Sequence, residues 1–152
     1  MAKKKPEKKR ITNKRASHDY FLEDSLLAGI MLTGAETKSL RMGHGHLQGA
    51  YVTEKSGELW LINATINGAQ GIPISEEGQT RSRKLLVKRS EIDKIMSKKQ
   101  QGNTIIPLEI IPVGRYIKIR IAVGRGKKNY DKRQTLKARD ESRQINRALK
   151  SL

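Results

Sequence analysis

Apolar residues along this chain fall into short runs, not long stripes. Leu27-Ala-Gly-Ile-Met-Leu32 is continuous and bounded by Gly34, which predicts a strand buried on both faces. In the AETKSLRMG that follows, Ala35, Ser39 and Met42 recur at helical spacing, as do Lys38 and Arg41. This predicts a short helix over residues 35–42, stopped by Gly43. Residues 50–53 and 58–62 flank Lys55-Ser-Gly57 and read as a hairpin. Gly68, Gly71, Pro73 and Gly78 break up residues 67–82 into a loop. RKLLVKR reads as a short basic strand or the approach to the next helix. That helix begins at Ser90 as N-cap, carries acids in its first turn and Lys98 and Lys99 near its end, and stops at Gly102.

Two strands follow, over residues 104–111 and 116–123, joined through Pro112-Val-Gly114. In the second, Ile117, Ile119 and Ile121 alternate with Lys118 and Arg120, so one side is apolar and the other basic. Pro107 marks a strand edge or a bulge in the first. About six short strands with interposed helices predict a mainly β fold with added α. The expected form is an OB-like, closed or partly open six-stranded β-barrel with two to three helices and a basic C-terminal tail.

Charge divides the chain into three parts. Residues 1–15 hold eight basic and one acidic side chain, and residues 124–152 hold ten and three; each end is +7 within a total of +17. Residues 16–123 are close to neutral for their length. The first 15 residues carry too little apolar surface to offset the entropy of ordering, so a disordered arm is expected there. Residues 124–152 form a tail expected to be loose alone and helical on a partner. Helix formers dominate from Asp131 onward, with no proline or glycine after Gly126. Wound as a helix, Lys132, Arg139, Arg143, Arg147 and Lys150 fall within about an 80° arc.

Several chemistries are excluded. Without cysteine there is no thiolate metal site or cysteine nucleophile. His44 and His46 are a local pair without an acidic cluster, and read as solvated loop histidines. Gly124-Arg-Gly-Lys-Lys fails the Walker spacing, and Asn129 stands where a dinucleotide loop needs its third glycine. Glu76-Glu77 and Asp140-Glu141 lack the apolar surroundings that raise a catalytic carboxyl. No catalysis and no cofactor are expected. No apolar run approaches the ~20 residues that span a bilayer, and MAKKKPEKKR lacks the apolar segment of a secretory signal. The expectation is a cytoplasmic protein.

A +17 chain seeks a polyanion. No helix-turn-helix pair, zinc finger or basic zipper is present, so a barrel with basic extensions points to RNA over duplex DNA. Aromatics are only 4% of residues, so phosphate contacts should dominate. A ribosomal or ribosome-assembly protein with an rRNA-binding basic extension fits the same composition.

Four blocks add a resemblance. Asn13-Lys-Arg-Ala-Ser-His-Asp-Tyr-Phe21, Ala28-Gly-Ile-Met-Leu-Thr-Gly-Ala-Glu-Thr-Lys-Ser-Leu-Arg41, Arg81-Ser-Arg-Lys-Leu-Leu86 and Arg125-Gly-Lys-Lys-Asn-Tyr-Asp-Lys-Arg133 are similar, in order and spacing, to motifs of the small protein B family. These are SsrA-binding proteins, which escort transfer-messenger RNA to stalled bacterial ribosomes. The resemblance implies an OB-type barrel that binds the tRNA-like part of that RNA, and a tail that enters the small-subunit decoding region. It also implies ribosome association, elongation factor Tu brought in through the RNA, and a monomer. The RNA-facing set it implies is Asn13, Lys14, His18, Tyr20, Glu36, Lys38, Ser39, Arg41, Arg83 and Lys84, with a structural ion pair to Lys38 or Arg41 as the alternative for Glu36 and a core role for Tyr20. The implied ribosome-facing set is Lys127, Lys128, Tyr130, Asp131, Lys132 and Arg133, extended along the basic ridge by Arg139, Arg143 and Arg147. The chain departs from the family pattern at Leu27, where a glutamate is usual, at Thr37 for valine, and at Glu141 for a tail tryptophan.

Overall fold

The computed structural model describes residues 10–99 and 102–150. In chain order the elements are β1 (Ile11–Thr12), α1 (Ala16–Asp19), β2 (Tyr20–Ile30), α2 (Gly34–Arg41), β3 (Gly45–His46), β4 (Tyr51–Lys55), β5 (Glu58–Ile62) and β6 (Thr65–Ile66). They continue with α3 (Glu76–Gln79), β7 (Arg83–Leu86), α4 (Arg89–Lys99), β8 (Thr104–Val113), β9 (Tyr116–Gly126) and α5 (Asn129–Lys150).

Six strands close on themselves, running β8-β4-β5-β7-β2-β9 and back to β8 through the long β8–β9 hairpin. All pairings are antiparallel. β3 and β6 form a separate two-stranded sheet. Alternation puts one side of every strand inside the ring. Leu59, Leu61, Leu85, Ile105, Ile119, Ile121 and Val123 are fully enclosed there. Ile117, Ile119 and Ile121 point inward as their spacing predicts, and Arg120 points outward to Glu109 across the ladder at 3.3 Å. The register shifts between Pro107 and Glu109, so the proline does sit at a bulge. Ser56 and Gly57, with φ of 55° and 77°, make the two-residue turn between β4 and β5.

Some expectations change. The run from Leu27 to Leu32 is not buried on both sides: Ala28 and Ile30 face the core, while Leu27 and Met31 are exposed. β2 also starts earlier, at Tyr20, because it pairs with β9 from Tyr20 to Gly29, with a shift in register at Asp24, which has a φ of 36°. Ser90 lies inside α4; the Lys88 N–H at the helix start donates to the Glu91 carboxylate at 3.4 Å. A four-residue helix, α3, interrupts the predicted loop, capped by Ser75. The arm expected over residues 1–15 lies outside the described residues up to residue 9. From Ile11 the chain is already in the fold: Ile11 is buried and β1 pairs with β8.

α2 begins one residue before the predicted start for a local reason. The Thr33 hydroxyl accepts the Glu36 N–H at 3.2 Å, and the Glu36 carboxylate accepts the Thr33 N–H at 2.9 Å. This reciprocal cap satisfies two of the four donors a helix start leaves open.

Candidate nucleic-acid interface

The end of the ring where β2 begins and β9 ends carries most of the predicted site. α1 sits over this end and hands the chain directly into β2. Asn13 anchors the approach: its backbone N–H bonds to Leu108 O at 2.7 Å, and its carboxamide donates to Pro107 O at 2.9 Å. The β8 bulge thereby has its exposed carbonyls satisfied, and Asn13 is held half-buried. Beside it is a cleft of about 350 Å3 whose lining includes Asn13, Arg15, Asp19, Tyr20, Gln48 and Tyr51. A neighbouring depression adds Lys14 and His46. Cations and aromatic rings lining a concave surface are the elements of single-strand or loop RNA recognition. Lys14 and Arg15 are exposed, and Tyr51 presents 43% of its surface.

The tail departs from the same end. Phe21 pairs across the ladder with Arg125, whose guanidinium lies 5.3 Å from the ring centroid, and the Lys127 ammonium lies 5.0 Å from it. Lys127 also donates its N–H to Asp19 O at 2.8 Å and its ammonium to Ser17 O and Thr135 Oγ1, both at 2.9 Å. The next turns of α5 continue the contact. Lys132 reaches the Asp19 carboxylate at 3.6 Å, and Arg139 donates to Ser17 Oγ at 3.0 Å. Asp19 bonds to His18 Nδ1 at 2.7 Å. That hydrogen bond, aided by the charges of Lys132 and Arg15 against the opposing effect of burial, holds the Asp19 carboxyl below its ordinary value. The basic ridge therefore starts against the body, with Lys132 and Arg139 facing α1. Lys128, Arg133, Arg143 and Arg147 are exposed, as is Tyr130, at 69%. Asp131 is half-buried, and its backbone carbonyl accepts the Thr135 hydroxyl.

Three residues of the predicted RNA-facing set are inside the protein. Glu36, Ser39 and Arg83 expose 2%, 0% and 0% of their surfaces. Ser39 donates to Asn67 O and His44 O, tying α2 to the strand pair below it. The Glu36 carboxylate is bonded by Arg81 and, at 2.5 Å, by Arg83 Nε, so its partners are neither Lys38 nor Arg41. Burial would raise the Glu36 carboxyl, but the Arg81 hydrogen bond, the Thr33 N–H and Arg83 together hold it below the ordinary range. The remaining Arg83 donors go to Ala64 O, Arg81 O, Gly78 O and Gln79 O, at 3.0 to 3.1 Å. The guanidinium has five N–H groups and all five are used. These three residues hold the elements together and offer RNA no side-chain surface.

Lys38, Arg41 and Lys84 do not join the α1 cleft. Arg41 reaches the β8–β9 turn, donating to Arg115 O at 2.7 Å. Lys84 lies on β7 beside Trp60 of β5 and 3.7 Å from Glu58. Arg15, Tyr51, Gln48 and the Asp19 contact to α5 were missed in the sequence, since each gains meaning only from a neighbour brought in by the fold. Among the described residues, no three His, Asp or Glu side chains come together as a metal would need.

Comparison with known proteins is consistent across three levels. The profile of the SmpB protein family matches residues 10–151. An SsrA-binding protein of Dehalococcoides mccartyi is 46% identical over 140 residues, covering 91% of this chain and 81% of that one. An SsrA-binding protein of Leifsonia xyli subsp. xyli is 43% identical over 152 residues, covering 99% and 96%. Among solved structures, a chain described under "tmRNA-SmpB: a journey to the center of the bacterial ribosome" superposes with a TM-score of 0.67 at 33% identity. That match covers 84% of this chain and 94% of the other.

Proposed function

The chain belongs to the SmpB protein family, and from that premise we propose that it binds the tRNA-like domain of transfer-messenger RNA and delivers it to stalled ribosomes for trans-translation. The observation that carries this reading is the joint position of the α1 cleft and the root of α5. One end of a small ring offers a concave surface with Arg15, Tyr20 and Tyr51, flanked by Lys14, and, from the same point, a 22-residue cationic helix. Such a body can hold one RNA while the helix contacts another.

On this reading Lys14, His18 and Tyr20, with Arg15 and Tyr51, meet transfer-messenger RNA, while Lys38, Arg41 and Lys84 meet it elsewhere on the ring. Lys128, Tyr130, Arg133, Arg143 and Arg147 meet ribosomal RNA in the small-subunit decoding region. Isolated helices are marginal in water, so phosphate contacts supply much of the stability of the outer turns of α5. Elongation factor Tu joins through the RNA. The protein works by binding alone, as a cytoplasmic, ribosome-associated monomer.

The test separates body from tail. A chain ending at Lys128 keeps the whole of β9 and its pairing with β2. It should retain affinity for transfer-messenger RNA and lose peptide tagging on stalled ribosomes. Continued tagging refutes the role given to α5. If the intact chain prefers transfer-messenger RNA no more than bulk transfer RNA, the RNA assignment itself fails.

A further inference from the structure

α5 has 22 residues and is about 33 Å long at 1.5 Å per residue. Its first half is tied to the body. Lys132, Thr135 and Arg139 share one side of the helix. Lys132 meets the Asp19 carboxylate at 3.6 Å, and Arg139 donates to Ser17 Oγ at 3.0 Å. Just ahead of the helix, the Lys127 N–H donates to Asp19 O at 2.8 Å, and its ammonium bridges Ser17 O and Thr135 Oγ1, each at 2.9 Å. The same ammonium lies 5.0 Å from the Phe21 ring centroid. Lys127 thereby joins the end of β9, α1, β2 and the second turn of α5 in one knot. Arg139 sits about 15 Å along the helix axis, so these contacts fix the direction of α5 as well as its origin. From Asp140 to Lys150 every residue is exposed.

We infer that Ser17, Asp19 and Lys127 are positioning residues through which α1 aims α5, so that an RNA carried on the body and the outer turns of the tail keep one fixed mutual orientation. This rests on the two-RNA reading above, and it gives Lys132 and Arg139 a role inside the protein in place of one on the ribosome. Leverage makes the aim consequential. A swing of ~20° at the root carries the far end of the helix about 11 Å, the full diameter of a helix with its side chains. Charge supports the internal role. Asp19 is the one acid in residues 8–22, and it is the residue that α5 meets with Lys132. The other anchors, Ser17 O and Ser17 Oγ, are neutral and take directed hydrogen bonds from Lys127 and Arg139, so the seam is specified by geometry as well as by charge. For a body already carrying one RNA, contact of the tail with a second is an intramolecular event, and its strength depends on whether the linkage presents the two sites in the right geometry. A helix held by α1 meets that condition before the ribosome is reached, which lowers the ordering cost of the second contact.

The chain has no cysteine, so the full-length protein accepts spin labels at Ser90→Cys on α4 and Ser142→Cys on α5, both exposed. In the labelled parent the distribution of distances between the labels should be narrow. Ser17→Ala combined with Asp19→Asn should broaden it. Affinity for transfer-messenger RNA should not fall, since Ser17 lies outside the cleft lining and the second change removes a negative charge from it. Tagging on stalled ribosomes should nonetheless fall roughly 10-fold. Asp19→Lys combined with Lys132→Asp restores the ion pair with its signs exchanged, and should recover the narrow distribution and most of the tagging. A contact of Lys132 with ribosomal RNA would be made worse by that exchange. A broad distribution in the parent overturns the proposal, as does unchanged tagging in the Ser17→Ala, Asp19→Asn variant. Tagging by the exchanged pair no better than by Lys132→Asp alone overturns it too. So does a loss of RNA affinity that matches the loss of tagging, since α1 would then act on the RNA itself. Failure of the parent to prefer transfer-messenger RNA over bulk transfer RNA counts against the functional reading and is scored separately from the label distances.

Discussion

Replacing Glu36 by glutamine tests whether this residue holds the body together or touches RNA. The carboxylate receives the Thr33 N–H, Arg81 and the fully buried Arg83. Glutamine offers one acceptor oxygen in place of two. It also turns an NH2 toward an arginine donor, leaving a buried guanidinium with four carbonyl partners and no counter-charge. Removing one partner of a buried ion pair costs about 3–5 kcal/mol. The four carbonyls that still bond Arg83 place the cost near the lower figure, about 3 kcal/mol. For a chain of this size that is a fall in melting temperature of roughly 6–12 °C. Thermal unfolding followed by circular dichroism measures it, and RNA affinity is read well below the transition, where Glu36→Gln should bind almost as the parent does. A double variant with Arg83→Met should lose less than the sum of the two singles, because the second change removes the stranded charge. The pH profile carries a further signature. The folded Glu36 carboxyl lies below its ordinary 4.5, so its contribution is complete above that pH and is lost as pH falls through the folded value. The variant should therefore show a flatter decline in acid. A melting temperature matching the parent, with RNA binding impaired, would falsify the buried-network account and return Glu36 to the interface.

Two other substitutions probe different levels. Asp19→Asn weakens the link between α1 and α5, so amide exchange in the first turns of α5 should quicken while β8 stays protected, at a cost of about 0.5–1 kcal/mol in overall stability. Equal protection of α5 in the parent and in Asp19→Asn would mean that Asp19 does not hold the helix. Ser56 sits at a φ of 55° beside Gly57 in a two-residue turn, where asparagine is better tolerated. Ser56→Asn should stabilise by about 0.5 kcal/mol, raising the melting point by roughly 1–2 °C.

What could be read from the sequence followed local rules. The alternation in β9, the glycine turn between β4 and β5, the proline bulge in β8 and the stop at Gly43 are each written within a few residues. Helix formers also run unbroken from Asp131, and α5 spans Asn129–Lys150 in the chain itself, where the tail was expected to be helical only on a partner. The lateral exposure of Leu27 and Met31 was not legible, since an apolar run states hydrophobicity and not which neighbour will cover it. The pairing of Glu36 with Arg83 was not legible for a similar reason. Their partnership spans 47 positions, and a charged residue inside a motif looks the same whether it meets RNA or another side chain. Lys132 and Arg139 projected onto an outward ridge, but Asp19 and Ser17, more than a hundred residues earlier, claim them.

β1 has a consequence out of proportion to its two residues. On the side of β8 away from β9, β4 pairs only at Ile105, and β1 takes over at Glu109 and Ile110. Without it, that stretch of β8 would show a row of unpaired amides and carbonyls beside buried isoleucines, which is the template on which another chain adds a strand. Composition alone would suggest trimming the lysine-rich start as far as Arg15. Such a trim would remove Ile11 and Thr12 with it and convert a closed, self-contained body into one prone to edge-to-edge association. A shortened protein for crystallisation or NMR should accordingly begin no later than Arg10.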